Sequence, residues 1–519
     1  MRARNTAEAG NSPLNPAPKT ATEELLHCKQ FILGPHFIDV MPGWQYLDIG
    51  HDLKLTYHPE LDIEQAAHAD KKFTAIGHIL DSLTPDKSNR DILSDLIDGA
   101  NDIHSLTRAI GIYGGRWIII ASFGNKTYLF NDALGFRQVF YTHPAVTGSL
   151  WMLSQPGLAE KYLNLEVDVE AEKFMDSFGF RSRDEFSWPA AATAFSGLSH
   201  LSPNHYLDLG TGRSHRFWPY ASIGTMTTGD AAAYLESRMK NIMRAAAHRY
   251  PLAIGLTAGI DSRLVMALSK DIGDNIAFIT VRKRNMQDDH PDIAIPKQLC
   301  EKHGLKHRVI RAKPGSSPDF AKLFKDSVFM ATDIYGPDAE AIINEIHRMR
   351  AVVTGSAGEM GQCFFLNKLS KNMYNGPITA SKLARLQSFA DESFAIKHFQ
   401  AWLDDAHKRH DVNLMDLFYW EHSHGNWVAM TQMQFDIAWR EIFTPYNCRD
   451  VLQAFLSVEQ RDRIPPRLLL YKNIISRAWP ELLDLPINPH KADKFGAKRK
   501  IQKFMNNNFK RIRRLFSGN

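Results

Sequence analysis

The sequence has few cysteines and no long apolar run. Only four cysteines occur in 519 residues, Cys28, Cys300, Cys363 and Cys448, and none belongs to a CxxC pair. This spacing argues against a disulfide framework or a structural zinc ribbon, and it fits a reducing compartment. The absence of about 18 consecutive apolar residues excludes a transmembrane helix, and the leader lacks the apolar segment of a signal peptide. We therefore expect a cytoplasmic protein.

A large excess of charge of one sign is also absent. The chain has 62 Lys and Arg against 57 Asp and Glu, a net charge of +5, which gives little support for a nucleic-acid partner. Basic residues concentrate in a C-terminal tail, residues 496–519, which could contact an anionic membrane surface or an RNA backbone. A solvated terminal helix is the simpler interpretation. Residues 1–24, rich in Asn, Pro, Thr and Ala, are expected to form a disordered arm.

Residues 25–220 contain short apolar runs separated by turns, which predicts a β-rich domain. Their β-branched and aromatic residues predict an antiparallel meander over Arg116–Phe123, Lys126–Asp132 and Arg137–Thr142. Leu198–Gly212 has the pattern of a further hairpin, and Asn89–Asp98 that of a helix. The length and the 44% hydrophobic composition allow at least two cores.

A change to small and polar residues near Tyr220–Gly229 predicts a boundary, with a second domain over residues 228–495. Thr228 or Asp230 is expected to cap the helix that follows. Strands and helices then alternate as strand Leu252–Leu256, helix Ser262–Ser269, strand Ile276–Val281, helix Asp292–His303 and strand Arg308–Arg311. This alternation predicts a doubly wound parallel sheet, and one further strand-like stretch is Ala351–Glu359.

The turn after the first of these strands has the composition of an anion site. Ligands of open α/β sheets bind beyond the carboxyl ends of the strands. Small residues at Thr257, Ala258 and Gly259 would let main-chain N–H groups approach an anion beside the helix N-terminus. Asp261 would repel a bare phosphate, so an acid at this position favours a Mg²⁺ ion that bridges it to the phosphates. Ser262 could donate a hydrogen bond to a phosphate oxygen. The alternative is an ordinary turn that Asp261 merely caps.

The stretch TAGIDS resembles the SGGxDS loop of the N-type ATP pyrophosphatases, and its surroundings resemble the asparagine synthetase family. Gly259, Asp261 and Ser262 match by identity, whereas Thr257 and Ala258 replace Ser and Gly by other small residues. The resemblance implies that the loop holds the pyrophosphate of ATP and that Asp261 helps to bind Mg²⁺. The loop is not a Walker loop, because no GK[ST] follows.

Three further stretches agree with this family in order and spacing. DIAIPKQLCEKHGLKHRVI, with Asp292 and His307 at the matching ends, resembles the D-x-x-x-A-x-x-x-A-x-x-x-G-x-x-H segment. VVTGSAGEMG resembles the second glycine-rich loop, SGEGADE. TPYNCRD and RLLLYKNIISRAWPELLDLPINPHK resemble the P-F-x-D and K-x-x-x-R-x-x-x-P stretches. Together these segments cover about Tyr234 to Phe495.

The resemblance also implies site residues outside the first loop. The backbone near Thr280 and Val281 would contact the adenine, with Leu256 beside it. Lys491, or failing it Lys472, would stabilise the charge of the leaving group or of a tetrahedral species, which requires a fixed cation in a dry site. Lys472 could equally be a solvated helix residue.

The second loop departs from the family pattern. When it is aligned on Gly355, Ser356 stands where the family has a Glu, Glu359 where it has Asp, and Met360 where it has the next Glu. Glu359 could still ligate Mg²⁺, since it is one methylene longer. The missing carboxylate at Ser356 puts the family's usual amino-acid acceptor in doubt, because that acid helps to build the acceptor pocket.

The stretch AIGIYGGRWIIIASFGNKTYLFNDALGFRQVFYT resembles part of a class II glutamine amidotransferase domain, and this resemblance implies an α+β fold like that of the N-terminal-nucleophile hydrolases. The matching residues are Gly115, Asp132, Gly135, Arg137 and Tyr141. Such enzymes attack glutamine with an N-terminal cysteine whose own amine acts as base. The first cysteine here, Cys28, is internal and has no free amine. Unless proteolysis exposes it, glutaminase activity is expected to be absent.

We therefore expect an ATP-dependent, AMP-forming ligase that makes an amide bond. It would activate a small-molecule or peptide carboxylate as an acyl-adenylate for attack by ammonia or a substrate amine. One alternative is a catalytically inactive scaffold that binds nucleotide, which the substitutions in the two loops favour. Another is a tRNA-sulfurating enzyme on the same ATP fold, for which Cys300 and Cys363 are a weak pair. The sequence names neither the carboxylate nor the amine, and it leaves the oligomeric state open.

Overall fold

The computed structural model describes residues 22–489, except residues 184, 274, 284–285, 368, 370–373 and 408–411. Its strands form two antiparallel sheets of six strands and one parallel sheet of five strands. The expected mixed α/β architecture, with antiparallel sheets followed by a parallel one, is therefore confirmed. No helix in the part of the chain that the structure describes is long and apolar enough to cross a membrane.

The described strands are short, apart from one long pair. They are β1 Phe31–Gly34, β2 Gln45–Gly50, β3 Leu53–Tyr57, β4 Ile63–His68, β5 Lys71–Asp81, β6 Tyr113–Phe123, β7 Lys126–Asn131, β8 Phe140–Thr142, β9 Met152–Leu153, β10 Leu198–His200, β11 His205–Asp208, β12 Arg213–Arg216, β13 Leu252–Gly255, β14 Ile276–Arg282, β15 His307–Arg311, β16 Ala351–Val353 and β17 Glu441–Phe443.

The described α-helices concentrate in the second half of the chain. They are α1 Asn89–Gly99, α2 Ile103–Ala109, α3 Pro144–Thr147, α4 Pro156–Leu163, α5 Val169–Met175, α6 Phe178–Arg181, α7 Thr228–Arg249, α8 Ile260–Leu268, α9 Pro291–Lys302, α10 Pro318–Ser327, α11 Gly336–Ile346, α12 Ala380–Leu386, α13 Ser393–Ala406, α14 Leu414–Phe418, α15 Ala429–Phe435, α16 Arg449–Leu456, α17 Gln460–Arg463 and α18 Leu469–Ala478. A π-helix, Tyr419–Val428, joins α14 to α15.

The two antiparallel sheets pack face to face, in the orders β10-β8-β9-β1-β3-β2 and β12-β11-β7-β6-β5-β4. Side chains alternate between the two faces of a strand. Ile118 and Ile120 of β6 accordingly share one buried cluster with Leu33 and Leu55 of the other sheet. Ile119, between them, belongs instead to the larger core that includes α1. The alternation along β6 thus builds both faces of the second sheet.

The parallel sheet has the order β15-β14-β13-β16-β17. The chain moves from the central strand β13 outward to β15, and then returns to the other side of β13 for β16 and β17. The order therefore reverses between β13 and β16, which is the place where open α/β sheets bind ligands. β13 is apolar, its first three residues are buried, and it pairs with a strand on each side.

The structure corrects several expectations for the first half. Of the three meander strands, only the first two pair with each other, as β6 and β7. The third is shorter than predicted, since it forms only β8, and it pairs with strands of the other sheet. Leu198–Gly212 is not a hairpin either, since β10 and β11 lie in different sheets. The helix predicted over Asn89–Asp98 is confirmed as α1.

In the second half the predicted alternation is confirmed, with small shifts at the ends of the elements. The cap of α7 is Thr227, whose hydroxyl accepts the N–H of Asp230, so neither Thr228 nor Asp230 is the cap. The strand expected over Ala351–Glu359 ends at Val353, because a glycine-rich loop follows. β17 lies in a region expected to be helical, and its three residues are too short to give a sequence pattern.

The expected domain limits, 25–220 and 228–495, remain predictions, and buried side chains from both ranges form one continuous core. Thr22 to Leu25 form a 3-10 helix, so the expected arm of residues 1–24 is too long at its end. The rest of that arm, the residues before 22, and the basic tail, residues 496–519, lie outside the described residues.

Candidate functional site

The candidate site lies at the carboxyl edge of the parallel sheet, where β13 and β16 end side by side. Ile254 of β13 pairs with Val353 of β16, so the loops that follow these strands are neighbours. The first loop, Leu256–Ser262, leads into α8. The second loop, Thr354–Gln362, ends in a 3-10 helix. Both glycine-rich loops that the sequence singled out therefore meet at the reversal point of the sheet.

The first loop turns into α8 without a side-chain cap. Gly259 is the N-cap residue and the helix begins at Ile260, so Ser262 is its third residue rather than its first. The Ser262 hydroxyl lies 3.0 Å from the Thr257 hydroxyl and accepts the Thr257 N–H at 3.1 Å. Ser262 thus connects the end of the first loop to Thr257 near its start.

The three small residues of the first loop have their N–H groups engaged. The Thr257 N–H donates to Ser262, the Ala258 N–H to a carboxylate oxygen of Asp292 at 2.9 Å, and the Gly259 N–H to the Thr257 hydroxyl at 3.1 Å. The sequence predicts that these groups point at an anion. In this structure an anion would have to replace internal hydrogen bonds, one of which is accepted by the matched residue Asp292.

Two glycines of the second loop bring it against Asp261. A Cβ added to Gly355 would lie 2.8 Å from the Ser262 nitrogen, and one added to Gly358 would lie 2.4 Å from a carboxylate oxygen of Asp261. Contacts this short leave no room for a side chain at either glycine. The amide of Gln362 then donates to the same Asp261 oxygen at 2.6 Å. The second loop therefore fixes the orientation of the Asp261 carboxylate.

Glu359 is also held by a neutral donor. The Tyr419 hydroxyl, at the start of the π-helix, donates to a carboxylate oxygen of Glu359 at 2.9 Å. The Tyr419 ring stacks on Phe364 with centroids 4.2 Å apart. Burial, followed by the charges of Glu359 and Asp261, raises the pKa of Tyr419 well above its ordinary value, so its hydroxyl remains a donor. Ser356, in place of the family's Glu, accepts at its carbonyl from Thr444.

The end of β14 presents a free strand edge beside the first loop. Its pairing with β13 stops at Ile279, whereas its pairing with β15 continues to Arg282. Leu256 donates its N–H to the Ile279 carbonyl, and the Thr280 hydroxyl donates to the Leu256 carbonyl. Because backbone groups alternate in direction along a strand, the N–H and carbonyl of Val281 point toward the side that β13 has left.

A C-terminal segment, Leu482–Asn488, is tied to the first loop. The buried guanidinium of Arg263 donates to the carbonyls of Leu482, Leu485 and Pro486 at 2.6–3.2 Å. Asn488 donates its N–H to the Ala258 carbonyl at 3.0 Å. Burial lowers the pKa of Arg263 to about 10, so it remains a cation near neutral pH.

Of the two candidate lysines, only Lys472 lies among the described residues. Lys472 is half-buried on α18 and its ammonium lies 3.4 Å from the Pro466 carbonyl. Lys491 lies outside the described residues. The segment that precedes Lys491 in the sequence is the one tied to the first loop.

The residues present fit a magnesium ion of the kind that nucleotides carry. Asp261 and Glu359 supply carboxylate oxygens from neighbouring loops, and Mg²⁺ in nucleotide sites usually takes one or two carboxylates together with phosphates. Within the described ranges, no group of three or more His, Cys, Asp or Glu side chains is arranged to hold a metal ion on its own. The two carboxylates thus suit an ion that is bound together with the phosphates of a ligand better than an ion that the protein holds alone.

The residues that matched an amidotransferase domain serve the structure. The Asp132 carboxylate accepts the N–H groups of Trp117, Phe136 and Arg137, and it also accepts from Asn447 of the second half. Gly115 has φ of +96°, and a Cβ there would lie 2.3 Å from a backbone carbonyl. These contacts explain the sequence pattern without any glutaminase chemistry.

The cysteines are buried thiols rather than nucleophiles. Burial raises the pKa of Cys28 to about 11, although Arg348 beside it lowers the pKa. Burial also raises the pKa of Cys300 and of Cys363 to about 12. Since the thiolate is the reactive form, none of the three is activated for attack.

Sequence reasoning missed Gln362, Arg263, Asn488 and Tyr419. Arg263 had a visible signal, because it is the one cation in the largely apolar helical run IDSRLVMAL. The other three had none, since their roles depend on contacts between residues 60 to 230 positions apart.

The chain matches no protein-family model and no curated protein. Among solved structures, it is similar to NMN synthetase from Francisella tularensis, with 16% identity over 36% of this chain and 92% of that chain, and a TM-score of 0.20. A glutamine phosphoribosylpyrophosphate amidotransferase from B. subtilis, complexed with ADP and GMP, shows 9% identity over 76% and 90%, with a TM-score of 0.23. The allosteric regulatory enzyme of purine biosynthesis shows 8% over 73% and 87%, with a TM-score of 0.25. Scores this low carry no argument about function, which therefore depends on the geometry of the site.

Proposed function

We propose that the protein is an ATP-dependent ligase of the asparagine synthetase type, which joins a carboxylate to a nitrogen nucleophile. The observation that supports this proposal is the meeting of the TAGIDS loop and the second glycine-rich loop at Asp261, at the reversal point of a parallel sheet. Sites for nucleotides are typical of this position in open α/β sheets. The second loop approaches Asp261 through Gly355 and Gly358, where no side chain fits.

In this proposal the first loop binds the pyrophosphate portion of ATP. Gly259 would offer its N–H and Ser262 its hydroxyl to phosphate oxygens. Both groups now make internal hydrogen bonds, and exchanging these for bonds to phosphate keeps the number of bonds nearly constant. The edge of β14 at Thr280 and Val281, with Leu256 beside it, would receive the adenine.

Asp261 and Glu359 would hold Mg²⁺, which when bound would offset the negative charge of the triphosphate. Gln362 and Tyr419 orient these two carboxylates without neutralising them. A carboxylate oxygen of the substrate would then attack the α-phosphorus, and the bond from this phosphorus to the departing pyrophosphate would break. Lys491, or failing it Lys472, would stabilise the negative charge that develops.

The second half-reaction would be attack of a nitrogen on the acyl carbon, which expels AMP and leaves an amide. Cys28 is buried and internal, so this nitrogen would not come from glutamine hydrolysed by the same chain. Free ammonia or an amine of the substrate would supply it. The Ser for Glu replacement at Ser356 argues for an acceptor other than aspartate.

The proposal is tested by pyrophosphate release from Mg-ATP in the presence of a panel of carboxylates and ammonium. Wild-type protein should release pyrophosphate with at least one carboxylate, and Asp261→Asn should abolish the release. Asp95→Asn, a surface carboxylate beside Lys87, is a matched control and should keep wild-type activity. Failure of the wild-type protein to bind Mg-ATP in calorimetry would exclude both catalysis and the nucleotide site.

One observation favours a second candidate, a nucleotide-binding scaffold without turnover. The three amides of the first loop already have partners within the protein, so the site is not preset for an anion. Tight binding of Mg-ATP without pyrophosphate release from any carboxylate would support the scaffold and contradict the ligase.

A further inference from the structure

The segment after β17, Thr444–Cys448, is bound to the second loop. Thr354 donates its N–H to the Phe443 carbonyl at 3.0 Å, and the Thr444 hydroxyl donates to the Ser356 carbonyl at 2.8 Å. Because these bonds fix the start of the segment against the first residues of the second loop, Tyr446, two residues after Thr444, lies beside that loop.

Tyr446 is fully buried, and its hydroxyl has no hydrogen-bond partner among the described residues. Its ring packs on Phe455 with centroids 5.6 Å apart, and Phe455 packs on Tyr471 at 5.2 Å. Tyr471 differs in that its hydroxyl donates to the Gly358 carbonyl. A buried hydroxyl without a partner destabilises the fold, and phenylalanine would fill the same space without that cost.

The negative charge of Asp261 acts on the Tyr446 hydroxyl. Burial, followed by the charges of Asp261 and Tyr471, raises the pKa of Tyr446 well above its ordinary value. The group is therefore a neutral donor at physiological pH. The sequence pattern of the related segment is P-F-x-D, so a hydroxyl at this position distinguishes TPYNCRD from that pattern.

We propose that the Tyr446 hydroxyl binds an anionic phosphate oxygen of the magnesium nucleotide that sits beside Asp261. This inference rests on the proposed function, because it needs a nucleotide at the first loop. A neutral donor suits this place, since it adds a hydrogen bond to the anion and does not compete with Mg²⁺ for the Asp261 carboxylate. The unsatisfied hydroxyl of the free protein then gains its partner on binding.

The test is Tyr446→Phe, which removes one oxygen atom and nothing else. The melting temperature without ligand should stay the same or rise, because no internal hydrogen bond is lost. The Kd for Mg-ATP, measured by calorimetry, should rise by roughly ten- to a hundredfold, the value of a hydrogen bond to a charged group. Tyr162→Phe, which removes a hydroxyl bonded to the Val40 carbonyl, is the control and should leave the Kd unchanged.

Two outcomes would overturn the inference while leaving the ligase intact. One is a wild-type Kd in Tyr446→Phe, which would mean that the hydroxyl never meets the nucleotide. The other is a melting temperature lowered by several degrees, which would mean that the hydroxyl has a structural partner in solution. Absence of Mg-ATP binding by the wild-type protein would instead remove the proposed function, and this inference with it.

Discussion

Carboxylates at the two ends of the parallel strands have different kinds of partner. The amino edge is the end of the sheet where the strands begin, and the carboxyl edge is the end where they finish. At the amino edge, Glu441 at the start of β17 is buried among cations, with Arg137 at 3.3 Å, Arg116 at 3.4 Å and Lys29 at 3.6 Å. All three cations come from the first half of the chain. Asp436 nearby accepts two hydrogen bonds from Arg116, at 2.5 and 2.9 Å.

At the carboxyl edge, two carboxylates each accept a hydrogen bond from a neutral group. Gln362 donates an amide hydrogen to Asp261, and Tyr419 donates a hydroxyl hydrogen to Glu359. Such donors fix the direction of a carboxylate but leave its negative charge in place. The amino edge thus joins the two halves of the chain by ion pairs, whereas Gln362 and Tyr419 at the carboxyl edge orient carboxylates through neutral hydrogen bonds.

The largest effect is expected from breaking the amino edge. Glu441→Gln should lower the free energy of unfolding by about 3–5 kcal/mol, because it leaves buried cations short of a counter-charge. Urea unfolding followed by tryptophan fluorescence measures the change. The matched control is Asp391→Asn, which breaks an exposed ion pair with Arg385 and should cost less than about 1 kcal/mol.

An equal, small loss in both variants would contradict this account of the amino edge. It would mean that water reaches Glu441 and that the three cations are solvated. The join between the two halves would then depend on apolar packing alone.

Some of this comparison is readable in the sequence. The carboxyl edge was predicted, because a strand followed by small residues, an acid and a hydroxyl is a local pattern. Asp261 and the first loop were named from this pattern, whereas Glu359 and the second glycine-rich loop were named from the resemblance to the asparagine synthetase family. The amino edge was not predicted, since Lys29, Arg116 and Glu441 are separated by up to 412 residues and carry no shared motif.

The missed contacts at the carboxyl edge have the same cause. Gln362 meets Asp261 across 101 residues, and Tyr419 meets Glu359 across 60. The sequence pattern also could not predict the hydrogen bonds within the first loop. The Thr257 and Ser262 hydroxyls accept N–H groups of the loop only when the loop has this conformation. Local composition therefore predicted which loops meet at the candidate site, and tertiary packing decides how their side chains are held.

A smaller effect on stability, with a specific effect on function, is expected at the carboxyl edge. Gly358→Ala would place a methyl group 2.4 Å from the Asp261 carboxylate. Displacing that carboxylate should cost about 1–3 kcal/mol of stability, as overpacked positions do. The Kd for Mg-ATP should rise, because Asp261 would no longer face the ligand, and calorimetry measures it.

Gly224→Ala is the control for this change, since an added Cβ there meets no atom within 4 Å. It should leave both stability and the Kd unchanged. If Gly358→Ala lowers stability but binds Mg-ATP as the wild type does, Asp261 is not part of the nucleotide site, and the contrast between the two edges loses its functional meaning.

The smallest expected effect is on the change of folding stability with pH. It distinguishes the contribution of Glu441 at the amino edge from the contribution of the buried histidines. Burial raises the pKa of Glu441, but Lys29, Arg137 and His78 outweigh it and hold the pKa well below the usual range. Its contribution to stability is therefore lost only as the pH falls below about 4.5. Burial lowers the pKa of His200 from its ordinary 6.5 to about 3, so the unfolded chain binds the extra proton first. Stability then falls by about 1.4 kcal/mol for each pH unit below 6.5.

His200→Phe should make the fall in stability between pH 6 and pH 5 shallower by about 1.4 kcal/mol per pH unit, whereas Glu441→Gln should keep this contribution of His200. A slope should remain in both variants, because burial also lowers the pKa of other histidines, among them His27, His398, His422 and His424. The His200 ring lies against Phe140, and its Nε2 has no hydrogen-bond partner among the described residues, so phenylalanine suits the site. Urea unfolding at half-unit intervals of pH measures both variants. Parallel curves for His200→Phe and the wild type would show that the imidazole is protonated in the fold, and the early loss of stability in acid would then belong to other groups than His200.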